Sequence, residues 1–392
     1  TFLVVGFAMG LCSGCAVRTS RDCGAGDEAA LRRGVTAHYV IAAVFSVLFT
    51  ALMLLLAGPL LQLLQTPPDA LPHARSYLMI ICAGIPATVL YNLLASLLRA
   101  VGDSKTPLWF LVFSSLLNIA LDLLFILAFG WDVAGAAAAT VLSQLISGLL
   151  CLFYIRRKDA RLLPSKQELA SIGPAVRDEL KIGAPLGFQH ALIAFGMIAL
   201  QFFLNGFGSS AVAAYTIGGK IQNLMQNPIV SMNAVMATFA GQNLGAGRLD
   251  RVREGVRKGI LISVCYAAAA GALVWLLRRP ITLLFVDAAE TAAIEQTWQY
   301  LAWCCPLLWA LGFLFSCRGA LQGLGDGVTP LLSSVLELLM RFAIPLLFRS
   351  ALGYTSICIA GTAAWVSCAA MIAIVYLIKI RRVSAQQQAQ AA

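Results

Sequence analysis

An all-α, polytopic membrane fold is what this sequence predicts, and three observations predict it. Of 392 residues, 60% are hydrophobic and only 12% are charged, about half the charge of an ordinary soluble chain. The apolar residues fall in long runs, each close to the ~20 residues that cross a bilayer as a helix. They lie at 1–17, 34–64, 76–98, 108–130, 133–155, 182–204, 210–240, 258–286, 297–317, 328–349 and 354–378. Third, one polar turn occurs twice, as VGDSKTP at 101–107 and LGDGVTP at 324–330. Ten-residue stretches of alternating hydrophobicity are absent, which argues against a β-barrel. Gly and Pro punctuate the runs, as they do in membrane helices.

The net charge of +10 reads as a topology signal. The connections after the first, third, fifth, seventh and ninth runs, with the C-terminal tail, hold 22 of the 28 basic residues; the opposite connections hold four. Lys and Arg mark the cytoplasmic side of short loops. The bias predicts a cytoplasmic C-terminus and leaves no basic excess for nucleic acid. Arg318 falls in the loop after the ninth run in this count. Most of the eleven cysteines sit in apolar runs, where they act as small hydrophobes. Cys12 and Cys15 are spaced like a metal pair, but no second pair or histidine cluster completes a site. His38, His73 and His190 form no motif, so no metal is expected. There is no GxxxxGK[ST] phosphate loop and no credible hydrolytic carboxylate pair, so neither an ATPase nor another enzyme is predicted.

The repeated turn belongs to a longer self-similarity. CGAGDEAALRRG (23–34) aligns with LGAGRLDRVREG (244–255) at an offset of 221, as does Pro59 with Pro280. Tyr77-Leu78 aligns with Tyr300-Leu301, and the paired turns with each other, at an offset of 223. A duplicated helical bundle is a frequent transporter architecture. The second copy has six runs, an even number, so the two copies are parallel, related by a pseudo-two-fold axis along the membrane normal. The first shows five, and a first helix missing from its lobe is expected. The predicted domains are an N-lobe at 1–155, a cytoplasmic linker at 156–181, a C-lobe at 182–383 and a polar cytoplasmic tail at 384–392. Either an amphipathic helix within the linker near 165–180 or a plain tether is expected.

In the turns, Gly102 and Gly325 follow a helix, where a left-handed residue closes it well. Thr106 and Thr329 are expected to cap the next helix through their hydroxyls, with Pro107 and Pro330 at the first helical position. Asp103 and Asp326 can accept backbone N–H bonds at the same helix start. These residues read as structural turns first.

Charges inside a bilayer are costly and tend to be functional. Two of the eighteen carboxylates lie well inside runs, Asp122 and Glu337. Asn118 shares a helical face with Asp122, and Thr140 sits in the next run. Such a trio can carry a proton on the carboxyl group, or surround Na⁺ with hard oxygens; an interhelical hydrogen bond that only holds the lobe together is the plainer alternative. Glu337 and Arg341 are four apart and can pair with each other. The offset of 223 takes Asp122 to Pro345, so the lobes are chemically unequal and coupling is expected mainly in the N-lobe. Gln189, Asn92 and Asn223 are further candidates for a substrate cavity, as are Glu337 and Arg341 for a polar site in the C-lobe.

The two turns, with GQNLGAGR (241–248), LLNIALDLLFI (116–126), VAGAAAATVLSQ (133–144) and IGAPLGFQ (182–189), resemble the multidrug and toxic compound extrusion family, MATE, in its bacterial type. The resemblance covers essentially the whole chain. It implies two six-helix lobes in a cell inner (plasma) membrane, a central cavity and alternating access. It implies export of amphipathic, often cationic, compounds against inward Na⁺ or H⁺, with no other cofactor, from a protein expected to be a monomer. The spacing of Asn118, Asp122 and Thr140 resembles the N-lobe cation site of archaeal and bacterial members. Gln189 stands where some branches carry a Glu. The alternative within the same superfamily is a flippase for a lipid-linked saccharide, which calls for a more cationic cavity than the few intramembrane cations here suggest.

Overall fold

The computed structural model describes residues 2–63, 68–287 and 289–391. They are helical almost throughout, as lipid requires, because only a helix or a closed barrel satisfies its own backbone there. The helices are α1 (Phe2–Ala25), α2 (Glu28–Leu63), α3 (Leu71–Ala83), α4 (Ile85–Ala100), α5 (Lys105–Leu123), α6 (Asp132–Lys158) and α7 (Gly173–Asn205). They continue with α8 (Ser209–Gly245), α9 (Leu249–Leu276), α10 (Arg278–Leu283), α11 (Thr291–Gly323), α12 (Val328–Leu352) and α13 (Tyr354–Ala391).

Eight helices among the described residues are long and apolar enough to cross a membrane, and α3 with α4, bent by 43°, make a ninth. The bend falls at Gly84, with Pro86 in the first turn of α4, a usual cause of a kink. Two more long helices, α1 and α8, coincide with the remaining apolar runs. Many large apolar side chains, such as Leu55, Trp109 and Leu276, point outward, as expected where the solvent is hydrocarbon.

The chain divides into two compact units, residues 1–187 and 188–392. In the first, α4 and α6 are the central pair, with α1, α2, α3 and α5 against them. In the second, α11 is the hub, packed on α8, α9 and α13, and α12 lies along α13. The division falls inside α7, beyond the 181/182 boundary read from sequence. The first half of α7 belongs to the first unit because it packs tightly on α1: a Cβ on Gly14 would sit 2.6 Å from the Gly183 Cα. Small residues permit this backbone approach. Arg18 of α1 also donates to Asp178 of α7 at 2.7 Å. The linker is therefore short: two 3₁₀ turns, Ala160–Leu162 and Leu169–Ser171, bridge α6 and α7. A separate amphipathic helix near 165–180 does not form; α7 begins at Gly173. The polar tail continues α13 as far as Ala391, and Ala392 lies outside the described residues.

The repeated turns have matching geometry. Gly102 and Gly325 have φ of +96° and +79°. Gly102 N–H donates to Arg99 O and Asp103 N–H to Leu98 O; Gly325 N–H donates to Gln322 O and Asp326 N–H to Leu321 O. This is a Schellman closure at both sites. The next helix is capped by the aspartate, not by the threonine hydroxyl. Thr106 N–H donates to Asp103 Oδ1 at 3.0 Å, and Thr329 N–H to Asp326 Oδ1 at 2.9 Å. A carboxylate three residues ahead of the donor has cap geometry and makes the stronger, charge-assisted bond. Pro107 and Pro330 are consequently the third helical residues, not the first, still within the turn where a missing N–H costs nothing.

Candidate functional site

In the first unit, α5 presents two faces. Leu116, Ile119 and Leu123 are exposed, while Ser114 and Phe125 are buried, with Asn118 and Asp122 half-buried on the same stripe. The residues that avoid hydrocarbon thus share the inner face of the helix. Asn118 Nδ2 and Asp122 Oδ1 are both buried without a hydrogen-bond partner among the described residues. Buried polar atoms in native proteins are nearly always paired, so two orphans one turn apart make this stripe the candidate site of the first unit. Immediately after Asp122, α5 widens into a π-turn at Leu124–Ala128, a distortion that is frequent at functional sites. Nothing in the local sequence announced it.

Thr140 lies half-buried on α6, which packs on α5. Its hydroxyl donates to Ala136 O of its own helix at 3.0 Å, leaving its oxygen free to accept. Asn92 is likewise turned to its own helix, donating to Thr88 O at 2.8 Å, while Thr88 bonds Gln144 of α6. Among the described residues no group of three or more His, Cys, Asp or Glu is arranged to hold a metal ion.

The second unit has a different polar centre. Glu337 and Arg341 of α12 pair at 2.7 Å, with side chains only 10% and 14% exposed. They continue a buried stripe that includes Pro330, Ser333 and Ser334. Gly196 of α7 makes room for them: a Cβ there would lie 3.3 Å from Arg341 Cδ. Gln189 is 4% exposed, and its Oε1 has no partner among the described residues. Asn223 is exposed on α8.

Two residues of consequence were misplaced by sequence reading. Arg318, counted as a loop cation, lies inside α11 and is 1% exposed. Its Nη2 donates to Ser333 Oγ at 2.8 Å. The apolar run appeared to end at 317, yet the helix continues to Gly323 through small residues, and that continuation was the available signal. Glu179, which sequence places in the linker at 156–181, is fully buried in the first half of α7, with neither carboxylate oxygen hydrogen-bonded among the described residues. It occupies an apolar-stripe position with Ala175, Ile182 and Leu186, all buried.

A family model described as MatE matches residues 1–124 and 185–347. A probable multidrug resistance protein of Bacillus subtilis, YpnP, is 29% identical over 360 residues, 90% of this chain and 79% of that protein. A probable multidrug resistance protein of Thermotoga maritima, NorM, is 24% identical over 335 residues, 83% of this chain and 70% of that protein. Among solved structures, a MOP superfamily transporter from Pyrococcus furiosus, described as having a binding pocket of reverse polarity that suggests a different function, superposes with a TM-score of 0.92. It is 22% identical and covers 98% of this chain and 86% of its own.

Proposed function

Because the chain belongs to the MatE family, we propose that it exports amphipathic organic compounds in exchange for inward Na⁺ or H⁺, with Asp122 and Asn118 as the coupling site. It is a multi-pass membrane transporter, not an enzyme. The observation that carries the assignment of the site is the pair of buried, unpartnered atoms, Asp122 Oδ1 and Asn118 Nδ2.

The chemistry suits either ion. A proton on Asp122 neutralises a charge that is expensive in hydrocarbon surroundings. Its release restores a carboxylate beside the Asn118 amide. For Na⁺, the carboxylate, the amide carbonyl after a half-turn of the side chain, and the accepting oxygen of Thr140 supply hard ligands. In both cases ion binding changes the charge of the α5 inner face, and the π-turn next to it is the local backbone that can yield. The basic bias of the loops orients the protein with its C-terminus in the cytoplasm, and the protein acts as a monomer.

The test uses the protein reconstituted in liposomes. A Na⁺ gradient and a pH gradient are imposed separately, and counter-movement of a fluorescent organic cation is followed. One gradient drives movement in the wild type, and Asp122→Asn, folded and inserted, loses at least about tenfold of the coupled rate. Full gradient-driven activity in Asp122→Asn removes Asp122 from the coupling step.

A further inference from the structure

The polar centre of the second unit is one positive charge out of balance. Arg318 and Arg341 are two guanidinium groups, permanently charged, and Glu337 is the carboxylate that acts on both. Glu337 is committed to Arg341 at 2.7 Å. It lies within electrostatic reach of Arg318 but makes no ion pair with it. Among the described residues Arg318 has one hydrogen bond, to the neutral Ser333 hydroxyl, and its guanidinium stands 5.4 Å from the Phe315 ring centre. Its Nε is buried and unpartnered, as is Arg341 Nε. His190 of α7 is also within electrostatic reach of Arg318. An uncompensated buried charge costs several kcal/mol, and the ordinary remedy is a counter-charge.

The position is well fixed. Next to Arg318, a Cβ on Gly319 would lie 2.2 Å from the Asn233 carbonyl oxygen, so α11 is held hard against α8 and the guanidinium cannot swing out by shifting the helix. Cys368 of α13 closes another side, with its Sγ 3.0 Å from Ser333 O.

We propose that this centre binds an anionic group, either a small inorganic anion or the carboxylate of an amphipathic substrate, at Arg318 beside the Glu337–Arg341 pair. The unpaired Nε–H of Arg318 is the donor, and Ser333 holds the same guanidinium through its Nη2. The substrate version rests on the export reading above; the binding itself does not. A transporter with an acidic site in one unit and a cationic site in the other would handle zwitterionic or acidic amphipaths as well as cations.

The charge count makes the test directional. Thermal unfolding of the purified protein in detergent is followed against potassium chloride and, separately, potassium benzoate. Wild type gains stability saturably with one or both anions. Removing the carboxylate raises the surplus to two, so Glu337→Gln lowers the half-saturating anion concentration by about tenfold. Arg341→Gln leaves Arg318 facing Glu337 with no surplus and loses the anion response; Arg318→Met does the same. If Arg318→Met does not fold, Arg341→Gln and Glu337→Gln still move in opposite directions. Tighter response to benzoate identifies a substrate carboxylate, and tighter response to chloride a small anion. No saturable response in the wild type, or an unchanged response in Arg341→Gln, overturns the proposal. Anion binding without cation export would count against the export reading alone, and export without anion binding against this proposal alone.

Discussion

At the repeat offset of 223 residues, Ser114, Asn118 and Asp122 of α5 fall on Glu337, Arg341 and Pro345 of α12. Both trios lie on the inner face of their helix. The first unit places its carboxylate two turns further along, with Oδ1 unpartnered among the described residues. The second moves the carboxylate back and ties it to an arginine four residues on. The same offset sets Arg318 on Ala95, and both are 1% exposed. One unit thus leaves its carboxylate without a built-in counter-charge among the described residues, while its copy has built cations into the fold. Duplication preserved the scaffold, from helix order to turn geometry, and the chemistry diverged at positions that face inward. An intramembrane carboxylate can be a coupling site only while nothing permanent neutralises it, and on that ground Asp122 and Glu337 are not equivalents.

The scaffold itself can be probed by exchanging residues between copies. Gly319 corresponds to Ser96 at the same offset. Ser96 is buried and bonds Leu93 O within its own helix at 2.8 Å. Gly319 tolerates no side chain, because its Cβ would meet the backbone of α8. Gly319→Ser is expected to cost about 3 kcal/mol or more through forced separation of α11 and α8, whereas Ser96→Gly costs only about 1 kcal/mol. Thermal midpoints of the two variants in detergent measure the difference; equal effects would mean that the copies pack alike.

The turns give the next effect in size. Asp103 accepts from Thr106 N–H and, at 3.3 Å, from the Tyr154 hydroxyl. Asp326 accepts from Thr329 N–H and hydroxyl and from Lys379 at 2.8 Å. Losing a helix cap costs about 1 kcal/mol, and the charged bond to Lys379 adds a comparable amount. Asp326→Ala should therefore destabilise by about 2 kcal/mol and Asp103→Ala by about 1 kcal/mol. A Lys379→Met, Asp326→Ala double variant no worse than Asp326→Ala alone would assign the excess to that bond.

The sequence made the helical runs, the duplication and the Asn118–Asp122 face legible, since each rests on hydropathy, spacing or identity between copies. It did not make Arg318 legible, because a charged residue at the end of an apolar run ordinarily marks a loop. Here small neighbours let the helix continue and bury it. Glu179 escaped for the same reason, a carboxylate in the first turns of a helix whose apolar stripe reaches further than its hydropathy. The π-turn after Asp122 has no composition of its own. The threonine of each turn was read as the cap because its hydroxyl suits that position, yet an aspartate three residues earlier supplies a stronger acceptor.

The smallest effect separates the two turns by pH. Burial of Asp326 opposes its ionisation, but bonds from Lys379 and from Thr329 outweigh burial and hold its pKa below the ordinary 3.8. Asp103 is also lowered: burial opposes, and bonds from Thr106 and Tyr154 prevail. A carboxyl group whose folded pKa lies below its unfolded value contributes stability above the unfolded value. That contribution fades as pH falls through the folded pKa. Both turns should therefore lose stability below about pH 4, where the unfolded chain begins to take up protons that the folded turns resist. The unfolding midpoint of the wild type, followed from pH 5 to about pH 3, should fall more steeply than that of Asp326→Asn or Asp103→Asn. Replacing Asp326 should also abolish any effect of Lys379→Met on the acid limb, while replacing Asp103 should leave that effect intact. An acid limb unchanged in both variants would mean that the turns hold their aspartates by shape and not by charge, and the two copies would then differ only in the membrane interior.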